Sequence, residues 1–174
     1  MLAITLSILV FLAACNGNSE DETLNTAENA YDNIKELVDD YSGNTTTGKT
    51  ASITSTELIV TDSDNNATAY DLPAEEFFVS IAPFINETHP CDIHSLTGCQ
   101  GEMTNESFDI YIEDMDGNVV LDDTINSEAN GFIDLWLPRN QTFNVDISYE
   151  GKQVNSEIST FEEDGTCITT MHLS

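Results

Sequence analysis

The residues with the greatest capacity for chemistry are cysteines and histidines gathered in one short segment. The stretch THPCDIHSLTGCQGE, residues 88–102, contains Cys91 and Cys99 together with His89 and His94. The chain of 174 residues has only 4 cysteines and 3 histidines, so this segment is strongly enriched in both. Thiolates bind Cu(I), Zn(II) and the iron of iron–sulfur clusters, and imidazole suits copper and zinc. The segment therefore predicts a site for a soft metal ion.

A second group near the other end of the sequence extends the set of candidate ligands. GTCITTMHL, residues 165–173, contains Cys167, Met171 and His172. On a regular strand alternate side chains share a face, so Met171 would lie beside Cys167 while His172 would point away. We expect Cys167 to complete a three-sulfur site with the two cysteines of the first segment. The candidate auxiliary ligands are His94, His89, Met171 and His172.

The first residues resemble the signal sequence of a bacterial lipoprotein. MLAITLSILVFLAACNGN is an uncharged apolar run that ends in small residues and a cysteine, and it is too short to span a bilayer as a helix. Its LAAC sequence is similar to a lipobox, although no Lys or Arg precedes the apolar run. We expect residues 1–14 to be a lipoprotein signal peptide and Cys15 to be lipidated. Residues 15–25, polar and acidic, would form a tether.

The number of cysteines leaves two interpretations open. If Cys15 carries a lipid, then Cys91, Cys99 and Cys167 remain. Structural disulfides normally use an even number of cysteines, so one of these three thiols would be free or bound to a metal. Three thiolates suit a trigonal Cu(I) site or, with an imidazole, a tetrahedral zinc site. Alternatively, any two of the cysteines form one disulfide that joins the loop to the C-terminal strand.

The charge of the chain excludes one class of function and constrains attachment to a membrane. There are 32 Asp and Glu residues against 4 Lys and Arg, which gives a net charge of −28. Nucleic acids are bound mainly through Lys and Arg, so we expect no nucleic-acid partner. An anionic bilayer also repels such a chain, so attachment needs a covalent lipid anchor. We therefore expect an extracytoplasmic, lipid-anchored protein, as on a Gram-positive cell surface.

Helical spacing is confined to the first part of the chain. In residues 27–42 apolar side chains recur at steps of three and four residues, and Gly43 is a stop signal. A strand-like pattern follows at Glu57–Thr61. We interpret residues 26–74 as a small N-terminal helical region, whose apolar stripe packs against the main domain or against a second copy of the chain. The stripe consists of Tyr31, Ile34, Leu37, Val38 and Tyr41.

The rest of the chain has the pattern of an antiparallel β protein. Alternating apolar residues mark strands in SFDIYIED, FIDLWLP, TFNVDISY and QVNSEISTF, and the Asp116-Gly117 pair indicates a hairpin. Short alternating strands separated by frequent turns are typical of a β-sandwich. The sequence therefore predicts an α+β protein that is mainly β. Residues 75–174 would form an antiparallel β-sandwich domain, transthyretin-like in its strand order, that carries the metal site.

Three segments resemble the CueP family of bacterial copper-resistance proteins. They are FFVSIAPFINETHPCDIHSLTGCQGE, NGFIDLWLPR and GTCITTMHL, and the resemblance extends over residues 27–174. That family has a close pair of cysteines and a third near the C-terminus, which matches Cys91, Cys99 and Cys167. The resemblance implies an extracytoplasmic copper-binding protein for copper tolerance. Its cysteines would bind Cu(I) and would reduce Cu(II) to Cu(I) through thiol oxidation.

The resemblance also implies partners. Members are implicated in supplying metal to copper-requiring extracytoplasmic enzymes, and their N-terminal region can mediate a homodimer. A thiol reductant would restore the oxidised cysteines. The predicted lipid anchor and the strongly acidic charge are departures from the family pattern. Two rival hypotheses stay open: a thiol-based cupric reductase enzyme, and a cell-surface β-sandwich interaction domain stapled by one disulfide. We expect cupric reduction, if it occurs, to be stoichiometric and not enzymatic.

Overall fold

A computed structural model describes residues 33–43 and 47–174. The predicted signal peptide, the lipidated Cys15 and the acidic tether lie outside these described residues. Within them, helix α1 covers residues 33–42 and ten strands form three sheets. None of the described helical residues belongs to a segment long and apolar enough to cross a bilayer.

The strands follow one another along the chain without an intervening helix. Their bounds are β1 (Thr50–Ile53), β2 (Glu57–Thr61), β3 (Ala67–Asp71), β4 (Glu76–Ile81), β5 (Ser107–Asp114), β6 (Val119–Asn126), β7 (Ile133–Pro138), β8 (Thr142–Tyr149), β9 (Lys152–Ser159) and β10 (Cys167–Ile168). The first sheet has the order β1-β2-β3, the second β10-β4-β7 and the third β6-β5-β8-β9. All neighbouring strands are antiparallel except β10 and β4, which are parallel.

The second and third sheets pack face to face as a β-sandwich. Alternate residues of β4 and their partners on β7 supply one half of the core, through the pairs Phe77–Leu137 and Val79–Leu135. The third sheet supplies the other half from alternate positions of β5 and β8, and these side chains are fully or almost fully buried: Phe108, Ile110, Ile112, Phe143, Val145 and Ile147. The two-residue side-chain period of a strand produces this arrangement, because it turns every second residue toward the same face. The predicted mainly β fold is confirmed.

The opposite face of β4 and β7 is also covered. Phe78 of β4 and Trp136 of β7 point away from the sandwich core and make an edge-to-face contact, with ring centroids 5.2 Å apart. Helix α1 and the first sheet pack around them, with Ile34, Val38 and Tyr41 of the helix buried. The central sheet therefore has a hydrophobic layer on each side. This double burial explains why β4 reads FFVSI, without the polar alternation of an exposed strand.

Three details of the fold were not predicted. Strands β1 and β3 flank the expected β2, so the N-terminal region is a helix on a small antiparallel sheet. Strand β10 ends at Ile168, which removes the regular strand on which we based the alignment of Met171 with Cys167. The parallel pairing of β10 with β4 departs from the expected antiparallel pattern.

Candidate metal centre

The loop between β4 and β5 brings three of the predicted residues to the edge of the central sheet. His94 forms an isolated bridge with Ile53 of β1, whose N–H donates to the His94 carbonyl at 2.9 Å. The Thr166 hydroxyl accepts the His94 N–H at 3.0 Å and donates to the Ile53 carbonyl at 2.6 Å. The loop is thus tied to β1 and to the residue that precedes Cys167. His94 is therefore held in the site by backbone hydrogen bonds to two segments that are distant in the sequence, at Ile53 and at Thr166.

A tight turn positions Cys99. The carbonyl of Ser95 accepts hydrogen bonds from the N–H groups of Gly98 and Cys99, at 3.1 and 2.9 Å. The hydroxyl of Thr97, in the middle of the turn, accepts the Ala51 N–H at 3.1 Å. The SLTGC sequence therefore folds back on itself and is anchored to β1, which points the Cys99 side chain toward Cys91.

Cys167 enters the site from the end of the sequence. It lies on β10 opposite Ser80 of β4, and its N–H donates to the Asp92 carbonyl at 3.0 Å. This hydrogen bond places Cys167 beside Cys91, to which it is disulfide-bonded with a Cα–Cα distance of 5.6 Å. Cys99 keeps a free thiol, and its Sγ lies 3.5 Å from the Sγ of Cys91. The three sulfur atoms predicted as ligands therefore lie within 4.8 Å of one another.

His94 is the histidine that joins the sulfur cluster. One ring nitrogen of His94 and the sulfurs of Cys91, Cys99 and Cys167 all lie within 4.8 Å of one another. The ring is fully buried and lies against Phe132, with centroids 4.4 Å apart. Burial, and secondarily the nearby His89, lowers the pKa of His94 from 6.5 to about 4. The ring is therefore neutral at physiological pH and carries a lone pair that a metal ion can use.

The two nitrogens of His94 have different surroundings. Nε2 lies 3.3 Å from the hydroxyl of Ser80 on β4. Nδ1 is buried and has no hydrogen-bond partner among the described residues. A buried polar atom without a partner is rare in folded proteins, and an absent ion is one of its common explanations. The residues of this cluster therefore fit a metal ion in two ways. Their sulfur and nitrogen atoms are suitable ligands, and one buried ring nitrogen has no hydrogen-bond partner within the described chain.

The carboxylate of Asp134 is connected to His94 through the hydroxyl of Ser80. The Ser80 hydroxyl donates to Oδ1 of Asp134 on β7, and the Ser42 hydroxyl on α1 donates to Oδ2. Burial raises the pKa of Asp134 from 3.8 to about 6, against the opposing effect of the two serine hydrogen bonds. A hydrogen-bonded chain thus runs from the helix through the central sheet to the candidate ligand. Asp134 and Ser80 were not predicted as site residues, although each is the polar exception in an apolar segment, FIDLWLP and FFVSI respectively.

One wall of the site depends on two glycines. The N–H of Gly101 donates to the Asn130 carbonyl at 2.6 Å, and the backbones of Gly101 and Gly131 run so close that a Cβ on Gly101 would lie 2.5 Å from the Gly131 carbonyl oxygen. Gly131 also has a φ of +81°, which disfavours other residues. This contact holds the loop after Cys99 against the segment that carries Phe132.

An exposed carboxylate fixes the segment that leads to Cys91. Glu102 accepts the N–H groups of Ile85 and Asn86, at 2.6 and 2.8 Å, and the Asn86 side-chain amide at 2.7 Å. These hydrogen bonds, with the N–H of Asn86 first, lower the pKa of Glu102 from 4.5 to about 2. The carboxylate therefore joins the two ends of the cysteine-bearing loop.

The other candidate auxiliary ligands lie elsewhere. Met171 is fully buried in the sandwich core with the residues of β4 and β5. His172 stacks on Phe84, with centroids 5.1 Å apart, and its Nε2 lies 3.2 Å from the Ile85 carbonyl. His89 makes an edge contact with Phe132 at 6.3 Å but does not join the four-residue cluster. Of the four auxiliary candidates, only His94 lies with the cysteines.

In the described state the cluster has one thiol and one disulfide. Reduction of the Cys91–Cys167 bond would present three thiols and an imidazole to a single ion. Three sulfurs and a nitrogen suit Cu(I) or Zn(II). The arrangement can therefore bind a soft metal when reduced and can store two electrons as thiols.

Comparison with known proteins identifies relatives. Residues 33–172 match the sequence profile of a family described as periplasmic copper-binding protein CueP. One similar solved structure, the crystal structure of S.CueP, is 35% identical and superposes with a TM-score of 0.78. That match covers 91% of this chain and 99% of the other. No match was found among curated proteins. The resemblance inferred from three segments of the sequence is confirmed.

Proposed function

The chain belongs to the CueP family, and on this premise we propose that it is an extracytoplasmic copper-binding protein whose reduced form holds Cu(I) with Cys91, Cys99, Cys167 and His94. The observation that carries the proposal is the convergence of these four donor groups within 4.8 Å. Their sulfur-rich composition favours a soft monovalent ion. Three of the donors come from one loop and the fourth from β10, so folding assembles the site.

The same cysteines support a reductive step. Two Cu(II) ions would each take one electron from the thiols of Cys91 and Cys167, which would lose their two protons and form the disulfide. The products are two Cu(I) ions, two protons and the Cys91–Cys167 bond. The close approach of these two residues supports this pairing. Each such reaction consumes both thiols, so the reduction is stoichiometric in the protein unless an external dithiol reductant returns the two cysteines to thiols.

The proposed location is the outer side of the cytoplasmic membrane, with a lipid on Cys15 as the anchor. The LAAC sequence before the acidic tether supports this location. The family description, periplasmic, supports an extracytoplasmic compartment. Copper-requiring extracytoplasmic enzymes are the proposed recipients of the ion, and the N-terminal region is the proposed dimer contact.

A Cu(I) competition titration tests the binding site. The full chain carrying Cys15→Ser, kept in solution by detergent micelles, would be reduced anaerobically and titrated against a chromophoric Cu(I) chelator. We expect one tightly bound Cu(I) per chain, and a large loss of affinity in Cys167→Ser. His172→Gln is the matched control, because this histidine lies outside the cluster, and we expect its affinity to equal that of the parent. Equal weak binding by the parent and by Cys167→Ser would contradict the proposal. A parallel titration with Zn(II) measures selectivity.

A second function is favoured by one observation, the Cys91–Cys167 disulfide itself. In a disulfide-stapled interaction domain this bond would hold the loop and the C-terminal segment together, and no metal would bind. This alternative predicts that reduction lowers stability without creating Cu(I) affinity. The titration above therefore separates the two functions.

A further inference from the structure

A line of three hydrogen bonds connects helix α1 with His94. Ser42 of the helix and Ser80 of β4 each contact one oxygen of Asp134, and Ser80 also contacts Nε2 of His94. Ser42, Ser80 and His94 are buried, with exposures of 2%, 0% and 0%. Water therefore has little access to the hydroxyl groups, and the positions of their protons are set by the protein.

The number of protons in this line determines the tautomer of His94. A serine hydroxyl has a single proton to donate and otherwise accepts. The Ser80 proton goes to the Asp134 carboxylate, so the Ser80 oxygen can only accept from His94. Nε2 of His94 must then carry the ring proton. In a neutral imidazole the other nitrogen, Nδ1, is left with a lone pair.

We propose that Asp134, acting through Ser80, is a positioning residue that holds His94 in the Nε2–H tautomer and so presents Nδ1 as the nitrogen ligand for copper. This inference rests on the proposed function and adds to it the identity of the ligand atom and the groups that orient it. A separate observation supports Nδ1 as the ligand atom: it is buried and has no hydrogen-bond partner among the described residues. Metal-bound histidines commonly donate their other N–H to an oxygen acceptor, which fixes the ring and makes it more basic.

The surroundings of the His94 ring disfavour the orientation in which Nε2, instead of Nδ1, binds the metal. If Nε2 bound the metal, the ring would lose its hydrogen bond to Ser80, and the buried Ser80 oxygen would lose its donor. His94 also packs against Phe132 at 4.4 Å and Phe78 at 6.4 Å, which limits rotation of the ring. The Nδ1 orientation keeps the Nε2–Ser80 hydrogen bond and gives a partner to the ring nitrogen that lacks one.

Nitrogen-15 NMR of histidine side chains tests the proton assignment without copper. The full chain with Cys15→Ser, labelled at histidine and dissolved in micelles, would be examined in the reduced, metal-free state at neutral pH. We expect His94 to show a protonated Nε2 and an unprotonated Nδ1. Addition of one equivalent of Cu(I) should shift the Nδ1 signal and leave the Nε2 proton in place. A protonated Nδ1 in the metal-free chain would overturn the proposal.

Four variants separate positioning from a merely structural role. In Asp134→Ala the Ser80 proton is free to turn toward Nε2, so we expect the Nδ1–H tautomer to appear; Ser80→Ala should likewise remove the preference for Nε2–H. We expect both to weaken Cu(I) binding by about 10–100-fold, the usual effect of removing a group that orients a ligand. Ser80→Thr keeps the hydroxyl and should restore both properties. Ser42→Ala is the matched control, because it removes the link to α1 but leaves the Ser80–His94 contact.

The outcomes are distinguishable. An unchanged His94 tautomer in both Asp134→Ala and Ser80→Ala would overturn the positioning role. If Asp134→Ala does not fold, Ser80→Ala and the parent spectrum still decide the question. If the parent has the Nε2–H tautomer but binds no Cu(I), the proton assignment stands and the proposed function fails.

Discussion

The Sγ atom of Cys99 lies 3.5 Å from the Sγ of Cys91, while Cys91 is bonded to Cys167. Cys91 is therefore the central sulfur of the three and has two potential partners. A disulfide needs a sulfur–sulfur distance near 2.05 Å, so only a small movement separates the Cys91–Cys99 contact from a bond.

Removal of Cys167 should redirect oxidation to the other pair. We expect Cys167→Ser to form a Cys91–Cys99 disulfide on mild oxidation, because the two thiols are already in contact. Alkylation followed by mass spectrometry of the protein and its proteolytic peptides would identify the bond. Cys99→Ser is the matched control, and it should retain the Cys91–Cys167 bond. Alkylation of both Cys91 and Cys99 in oxidised Cys167→Ser would contradict this prediction.

The Cys91–Cys167 bond should contribute strongly to stability. It joins residues separated by 76 positions, and a loop of this length predicts a stabilisation of about 4 kcal/mol, chiefly through the unfolded state. Urea unfolding of the chain carrying both Cys15→Ser and Cys99→Ser would compare the oxidised and reduced forms without disulfide exchange. Fluorescence of Trp136, the single tryptophan, reports the transition. Equal midpoints for the two forms would show that the bond is not a structural staple.

The sequence predicted those parts of the fold whose residues carry a local pattern. Strands β5 and β8 alternate buried and exposed residues, and both were predicted at the bounds that the structure gives. Strand β3 has no buried residue and β1 has only four residues, so neither has a pattern that could be detected. Strand β10 is two residues long, and its pairing with β4 depends on a partner far away in the sequence.

Some residues of the candidate site could also be predicted from the sequence, whereas others could not. The cysteines could be selected as candidates because cysteine and histidine are scarce in this chain and two of each lie in one short segment. The choice of His94 over His89 and His172 could not be made, because only the folded structure determines which histidine is buried. Asp134 acts at a distance through Ser80, and nothing in the local sequence links these residues. Composition therefore predicts the donor atoms, whereas the fold determines which of them meet.

Stability should depend on pH through Asp134. Its pKa is raised to about 6 in the folded chain, so the folded state holds a proton that the unfolded state releases near pH 4. The stabilising contribution is present below pH 4 and is lost as the pH rises through 6. The free energy of unfolding of the parent relative to Asp134→Asn should therefore fall by roughly 1–3 kcal/mol between pH 4 and 7. Urea unfolding of both metal-free, oxidised chains across this range checks it, and a constant difference would contradict it.

His94 should have the opposite effect over a similar range. Its pKa is lowered to about 4, so the unfolded state takes up a proton near pH 6.5 while the folded state does not. The contribution is present above pH 6.5 and is lost as the pH falls toward 4. Relative to His94→Gln, the metal-free parent should lose about 3 kcal/mol between pH 6.5 and 4. The same unfolding series measures this slope. A slope of the same sign as that of Asp134 would show that the ring is not buried as a neutral group.

Glu102 should protect the backbone that leads to Cys91. Its carboxylate accepts the N–H groups of Ile85 and Asn86, so Glu102→Ala should accelerate hydrogen exchange at these amides. Mass spectrometry or NMR would measure the exchange rates. Glu163→Ala, a change at another exposed glutamate, is the control. Because the pKa of Glu102 is lowered to about 2, the protection should persist at pH 5 and weaken only as the pH falls toward 2. Unchanged exchange in Glu102→Ala would show that the hydrogen bonds to Glu102 do not protect these two amides.

Strand β10 contributes both to the central sheet and, through Cys167, to the sulfur cluster. It adds the parallel edge to the central sheet, and it brings Cys167 to the sulfurs of the loop. A molecule in which this short segment has detached from β4 would retain the loop cysteines but not the full set of proposed ligands. Retention of an ion would therefore report that the chain has finished folding, and a bound ion would in turn hold the C-terminal segment in place. In the proposed Cu(I) form, detachment of β10 would remove Cys167 from the ion while the loop cysteines stay in place.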